Sequence, residues 1–227
     1  MSFKNSIETN YRGIVKEVEE NNLSKKNIFV EAVTKTRTVE EIRKVINAGA
    51  IIIAENKVQE AEKKIEFIKS NKNIKIHLIG HLQSNKSKKA VSMFDTIESV
   101  DSLRLLKHIN KASKDYNKEQ EIYLQVNIGK DHNKYGFDYD ESLNVIKLIQ
   151  DYKYIKLTGL MTILPNFINT ETTKKLYTKM KDLHKEAQLI NNEVVNLSMG
   201  MSNDYLEAVR CGASHIRIGT AIFGKRL

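Results

Sequence analysis

Phe29-Val30-Glu31-Ala32-Val33-Thr34-Lys35 is a short, largely apolar run that closes on a polar pair. A run of this length and composition reads as a strand buried in a sheet. Successive side chains of a strand point to opposite faces, so Phe29, Glu31, Val33 and Lys35 share one face. The chain on either side shows what kind of sheet it joins. Upstream, Asn5 to Glu20 carries a helical pattern. Downstream, further candidate strands follow at Ile51–Ile53, Ile74–Ile79, Thr96–Ser99, Ile122–Ile128, Lys156–Met161, Val194–Leu197 and His215–Ile218. Between them lie the helical stretches Val39–Asn47, Lys57–Ser70, Ser84–Met93, Ser102–Lys114, Asp140–Gln150, Thr170–Ile190 and Asp204–Arg210. Strands separated by helices build βαβ units and a parallel sheet. Eight of them predict an α/β protein with a single closed (β/α)8 TIM barrel rather than an open doubly wound sheet. No GxGxxG turn follows the first strand, which disfavours a Rossmann fold. Little chain remains after the eighth strand, so the N-terminal helix is expected to cover the gap between the last and first strands.

Composition sets the outer limits. The 227 residues are 41% hydrophobic, enough for one core, and residues 1–227 are expected to form one domain with no second β domain. One Pro and ten Gly give no sign of a disordered or fibrous chain. The sole cysteine, Cys211, excludes an intramolecular disulfide and fits a reducing compartment. No Cys/His cluster has zinc-site spacing, so no metal is expected. The N-terminus is charged throughout, unlike a signal peptide. The longest apolar runs, such as Ala48–Ala54, are too short to span a membrane. A cytoplasmic, membrane-free protein is expected, and a monomer, since no exposed apolar surface is legible. The net charge of +9 raises the prospect of nucleic acid or another polyanion. However, the lysines are spread along the chain beside Glu and Asp at helical spacing, as on solvated helix faces. Nucleic acid is therefore not the expected partner, and phosphate on a small ligand is another use for the charge.

Barrel enzymes carry their chemistry at the C-terminal ends of the strands. With the Glu31 face inward, Lys35 stands at the top of the barrel. A desolvated lysine has a lowered pKa, and neutral amine is what attacks a carbonyl to form a Schiff base. On spacing alone, a solvated rim lysine is the favoured reading. Glu31 on the same face is awkward, because a buried carboxylate needs a partner. The seventh strand runs into Ser198-Met199-Gly200-Met201-Ser202-Asn203-Asp204, with Asp204 and Glu207 at capping-box spacing. Free N–H groups at a helix start form an anion site, although an ordinary capped helix also explains this segment, and Asp204 is expected to face away from any phosphate. The eighth strand ends Arg217-Ile218-Gly219-Thr220, which offers backbone N–H groups and a hydroxyl. The seventh and eighth loops are where barrels most often hold phosphate. Polar residues also follow the other strands: Glu55-Asn56, Gly80 to Lys86, Asn127 with Lys134-Tyr135-Gly136, and Met161-Thr162. Singly each has a bland reading: a helix cap at Ser84, a satisfied rim histidine at His81, core filler at Met161.

Together these segments resemble the pyridoxal phosphate homeostasis protein family over nearly the whole chain. The resemblance rests on Ala32-Val33-Thr34-Lys35-Thr36, on Glu55-Asn56-Lys57-Val58-Gln59-Glu60 and on Ile79-Gly80-His81-Leu82-Gln83-Ser84-Asn85-Lys86. It continues through Gly159-Leu160-Met161-Thr162, Leu197 to Ser202 and Arg217 to Gly224. It implies a fold shared with the N-terminal barrel of alanine racemase and a Schiff base between Lys35 and pyridoxal 5′-phosphate. By the same resemblance, Ser198, Met201, Ser202, Gly219 and Thr220 cradle the phosphate and Arg217 faces the pyridine nitrogen. Asn56, His81 and Met161 match positions lining the cofactor pocket. The chain departs from the family pattern at Ala54, where Gly is usual, and at Glu31, where an apolar residue is usual.

A cationic Arg217 beside the ring would disfavour protonation of the pyridine nitrogen and weaken the cofactor as an electron sink. The expected role is therefore storage and delivery of pyridoxal phosphate, with apo-enzymes that use it as partners, and not catalysis. A weak amino-acid racemase is the alternative.

Overall fold

The computed structural model describes residues 6–23, 26–165 and 169–225. Eight parallel strands close into a barrel in chain order. They are β1 (Phe29–Val33), β2 (Ile52–Glu55), β3 (Lys75–Leu78), β4 (Thr96–Val100), β5 (Gln120–Val126), β6 (Ile155–Thr162), β7 (Asn196–Met201) and β8 (His215–Ile218). The expected (β/α)8 barrel is the observed one. Helix α1 (Ile7–Asn21) precedes β1. Helix α2 (Val39–Asn47) follows β1, α3 (Val58–Glu62) and α4 (Ile65–Lys69) follow β2, and α5 (Ser87–Met93) follows β3 behind a 3-10 turn at Ser84–Lys86. Helices α6 (Leu103–Asp115), α7 (Tyr139–Ile149), α8 (Thr170–Ile190) and α9 (Tyr205–Arg210) link the remaining strands, and the single-turn α10 (Thr220–Phe223) follows β8.

Local sequence explains where the helices begin. Thr38 and Glu41 form a reciprocal capping box at α2, and Asp138 with Glu141 does the same at α7. Ser102 and Asn169 cap α6 and α8 through their side-chain oxygens. Asn5, the predicted start of the first helix, lies outside the described residues; the helix they show is capped by Ser6. This helix fills the gap left by the short α10. The Asn10 side chain donates to the Ile222 carbonyl at 2.9 Å, Arg210 donates to Asn21 at 2.8 Å, and the Tyr205 hydroxyl donates to Glu17.

Two predicted elements differ in extent. The predicted helix Lys57–Ser70 is broken into α3 and α4, because Lys64 turns inward to meet the buried Glu55 and the Thr34 carbonyl. The seventh strand runs on to Met201 through Gly200, whose φ of +95° is left-handed. A Cβ there would lie 2.6 Å from the Ala208 Cβ, so glycine lets α9 pack directly on the strand.

Strand alternation divides the barrel into two environments. Val30, Ala32, Ile53, Ile76, Leu78, Ile97, Ile122, Leu124, Leu160, Leu197, Ile216 and Ile218 form the core between sheet and helices. The opposite parity points to the barrel axis, and there the interior is polar: Glu31, His77, Glu98, Ser198, His215 and Arg217 are all buried. Glu31 is therefore inward and fully buried, as the alternation predicted, and its partners come from other strands.

Candidate active site at the C-terminal mouth

A cavity of about 840 Å³ opens at the C-terminal ends of the strands. It collects Lys35, Asn56, Met201, Ser202, Arg217, Gly219 and Thr220, residues that lie up to 185 positions apart in sequence. Its floor includes Val33 and Ile79, which form a small apolar cluster with Ala54. The departure from glycine at position 54 is thus absorbed as packing beneath the pocket.

Lys35 is half-buried, and the backbone around it is fixed from the β2 side. The Thr34 hydroxyl donates to Glu55 at 2.6 Å, Lys64 donates to the Thr34 carbonyl at 2.8 Å, and the Thr36 amide donates to Glu60. Lys64 in turn bridges Glu55 at 2.9 Å and Glu60 at 3.1 Å. Thr36 itself has a φ of +63°, an uncommon conformation for a β-branched residue, and this network holds it there. Burial pushes the Glu55 carboxyl up, while the Thr34 hydrogen bond and the Lys64 charge pull it back. Sequence reading named Glu55 only as a polar strand end and missed Glu60 and Lys64. The signal available was a lysine at position 64 on the buried side of an amphipathic stretch.

On the opposite side, Arg217 is 3% exposed and its guanidinium is held at both ends. Nη1 donates to the Ser198 hydroxyl and Nη2 to the Thr162 carbonyl, each at 2.6 Å. The β7 and β8 loops are tied together by the Ala221 amide, which donates to Ser202 Oγ at 3.3 Å. The predicted Asp204 capping box does not form, since Asp204 Oδ1 accepts from the Met201 amide at 2.7 Å. Asp204 also lines the cavity, contrary to the expectation that it faces away.

Three of the predicted site residues stand apart from the cavity lining. Ser198 is fully buried and acts on the site through Arg217. Met161 is fully buried, level with Ser198 in the sheet. His81 is on a neighbouring groove, where it stacks on Tyr135 at 3.9 Å and lies 2.6 Å from Asp101 Oδ2. The β5–α7 loop adds Lys134, whose ammonium donates to the Leu164 carbonyl and whose pKa is lowered by burial. Asn127 organises that loop through bonds to Asp131 and to the Lys134 carbonyl.

Comparison with known proteins agrees with this architecture. The family model described as alanine racemase, N-terminal domain, matches residues 4–226. The chain therefore belongs to the alanine racemase N-terminal domain family, and within it to the pyridoxal phosphate homeostasis proteins. It is 38% identical to the pyridoxal phosphate homeostasis protein of Synechocystis over 205 residues, covering 88% of this chain and 93% of that one. It is 36% identical to the Pasteurella multocida protein of the same name over 199 residues, covering 86% and 85% respectively. The structure of PipY from Synechococcus elongatus, with pyridoxal phosphate bound, is similar at a TM-score of 0.87 and 30% identity, over 96% of this chain and all of PipY. Alanine racemase from Clostridium difficile shares the fold at a TM-score of 0.77 and 16% identity, and 57% of its length is covered.

Proposed function

We propose that this protein holds pyridoxal 5′-phosphate reversibly on Lys35, and that it stores and passes on the cofactor without turning over an amino acid. The observation that carries the reading is the placement of Lys35, the fixed guanidinium of Arg217 and the tied Ser202–Ala221 corner around one cavity. The residues fit the cofactor: Asn56 Oδ1 is buried beside the cavity without a hydrogen-bond partner, a polar atom awaiting a donor. When bound, the cofactor supplies an aldehyde that condenses reversibly with an amine. Lys35 presents that amine. Ser202, Gly219 and Thr220 would hold the phosphate, through the Ser202 and Thr220 hydroxyls and the backbone of the turn that follows β8. Ser198 and Thr162 fix Arg217 at the cavity wall, so its positive charge would oppose protonation of a ring nitrogen bound beside it. Racemisation needs an acid/base group on each face of the reacting carbon; opposite Lys35 the cavity presents Lys134, whose ammonium is engaged by the Leu164 carbonyl. Lys134, on the opposite loop, offers a second amine for handing the cofactor on. Exposed lysines pair with acidic residues at helical spacing, as in Lys175–Glu171, Lys185–Asp182 and Lys16–Glu20. That pattern is what solvated helix faces carry, and it favours them over a nucleic-acid-binding stripe.

The test begins with purified protein loaded with pyridoxal phosphate. Borohydride should fix a chromophore that peptide mapping places on Lys35, and Lys35→Ala should lose it. The loaded protein is then mixed with an apo-enzyme while a trap removes free cofactor. Activation despite the trap supports delivery; activation abolished by the trap refutes it, and turnover of alanine refutes a purely non-catalytic role.

A further inference from the structure

Below the cavity, three strands bring acidic and imidazole groups together on the barrel axis. Glu31 from β1, His77 from β3 and Glu98 from β4 are 0%, 2% and 0% exposed. His77 Nδ1 lies 2.7 Å from Glu98 Oε1 and 3.6 Å from Glu31 Oε1. One ligand atom from each residue falls within 4.8 Å of the other two. Among the described residues, no donor lies within ordinary hydrogen-bond geometry of either Glu31 oxygen or of Glu98 Oε2, and burial, with the charge of Glu98 beside it, pushes the Glu31 carboxyl up to about 8, so that it is protonated at neutral pH in the absence of a cation. Buried carboxylates in a dry interior are paired, protonated or bound to metal, because an uncompensated charge costs several kcal/mol. Arg217 meets Glu31 in the sheet register, but its two terminal nitrogens donate to Ser198 and Thr162.

We infer that Glu31, His77 and Glu98 form a binding site for one divalent transition-metal ion of the zinc type. A divalent ion would take the place of the protons on Glu31 and His77, which leave to solvent as it binds, and would occupy the oxygens that now lack partners. The ligand set of one imidazole nitrogen and two carboxylate oxygens suits zinc, cobalt, manganese or ferrous iron, whereas calcium and magnesium take all-oxygen shells. Tetrahedral zinc with bonds of about 2.0–2.2 Å places neighbouring ligand atoms roughly 3.3 Å apart. To reach that spacing the His77–Glu98 separation of 2.7 Å opens by roughly 0.6 Å and the His77–Glu31 separation of 3.6 Å closes by roughly 0.3 Å. At the N-terminal mouth a cavity of about 210 Å³ reaches the cluster at His77, and Thr96, Tyr123, Asn196 and His215 line it as well. The site would bind β1 to β3 and β4 one inward layer below Val33 and two below Lys35, and it shares no residue with the upper cavity. Sequence spacing gave no hint of it, since its ligands stand 46 and 21 residues apart on three strands.

The test uses the full-length, cofactor-free protein, so its outcome does not depend on the reading of the upper cavity. After chelator treatment, Co²⁺ titration should give visible d–d bands that saturate at one equivalent, and Zn²⁺ should displace them and raise the thermal midpoint. Glu31→Gln and Glu98→Gln should each weaken Co²⁺ binding by about tenfold or more. Absence of uptake, or uptake that both variants leave unchanged, overturns the inference. If either variant fails to fold, wild-type crystals soaked in Zn²⁺ decide the matter. An anomalous-scattering peak among the three side chains supports the site, and a peak only elsewhere, or none, overturns it.

Discussion

The ammonium of Lys64 lies 2.8 Å from the carbonyl oxygen of Thr34, one residue before Lys35. The same ammonium neutralises Glu55, which is fully buried and accepts the Thr34 hydroxyl. One lysine thus sets the position of another, through the backbone and not by contact with any ligand. Removing it leaves a carboxylate buried without its cation. Lys64→Met should cost about 3–5 kcal/mol in denaturant unfolding and weaken cofactor binding in equilibrium titration. Adding Glu55→Gln to Lys64→Met should recover part of the lost stability. A double variant no more stable than Lys64→Met shows that the buried charge is not the cause.

Gly80 sits against the Asn56 backbone, and a Cβ on it would lie 2.2 Å from the Asn56 carbonyl oxygen. Backbone cannot yield as a flexible side chain can. Gly80→Ala should therefore destabilise the fold by roughly 3 kcal/mol and lower cofactor affinity by displacing Asn56. Gly13, in the interior of α1 with open space around it, is the control. Gly13→Ala should raise stability by about 0.5–1 kcal/mol. Equal effects at the two positions in urea melts would refute the steric account.

Arg217 donates two short, charged hydrogen bonds to Ser198 and Thr162. Bonds to charged groups contribute about 1.5–3 kcal/mol each. Arg217→Gln should lose at least one and reduce cofactor affinity about tenfold or more, with a changed pH dependence of the bound chromophore. Ser198→Ala should weaken binding less, since the Thr162 bond keeps one end of the guanidinium in place. Absorbance titration measures both, and an unaltered chromophore in Arg217→Gln rules out the arginine as the neighbour of the ring.

Burial lowers His184 from its ordinary 6.5 to about 4, against a backbone hydrogen bond with Val194 that favours the charged form, and its Nε2 has no partner. The unfolded chain takes up a proton near pH 6.5 that the folded chain refuses until about pH 4. Stability from this residue is therefore complete above pH 6.5 and is lost as pH falls through that window, by up to about 3 kcal/mol. His184→Gln should flatten the stability profile between these limits in urea melts taken at a series of pH values. A profile parallel to the wild type sinks the assignment.

The barrel was legible because each strand carries its own local signal. His215–Ile218, Val39–Asn47 and Thr170–Ile190 fall where periodicity and caps put them. The seven cavity residues were legible because barrels concentrate function at strand ends, so position along one strand already indicates the mouth. What stayed hidden depends on closure of the sheet. Glu31 looked misplaced until β3 and β4 supplied His77 and Glu98 across the axis. Lys64 looked like a solvated helix lysine until the break between α3 and α4 turned it inward. His81 followed a strand end as the pocket residues do, yet it stacks on Tyr135 and pairs with Asp101 in the neighbouring groove.

Arg217 spans the two halves of the barrel. Its guanidinium lines the upper cavity, and its charge also reaches Glu98 below. Burial works against the charged form of Glu98, the hydrogen bond and charge of His77 outweigh it, and Arg217 adds to them. One guanidinium thus faces both the rim of the barrel and its buried axis. Should its charge couple the two, a change of charge on the axis and a ligand at the rim would influence one another in equal measure, as any pair of linked equilibria must.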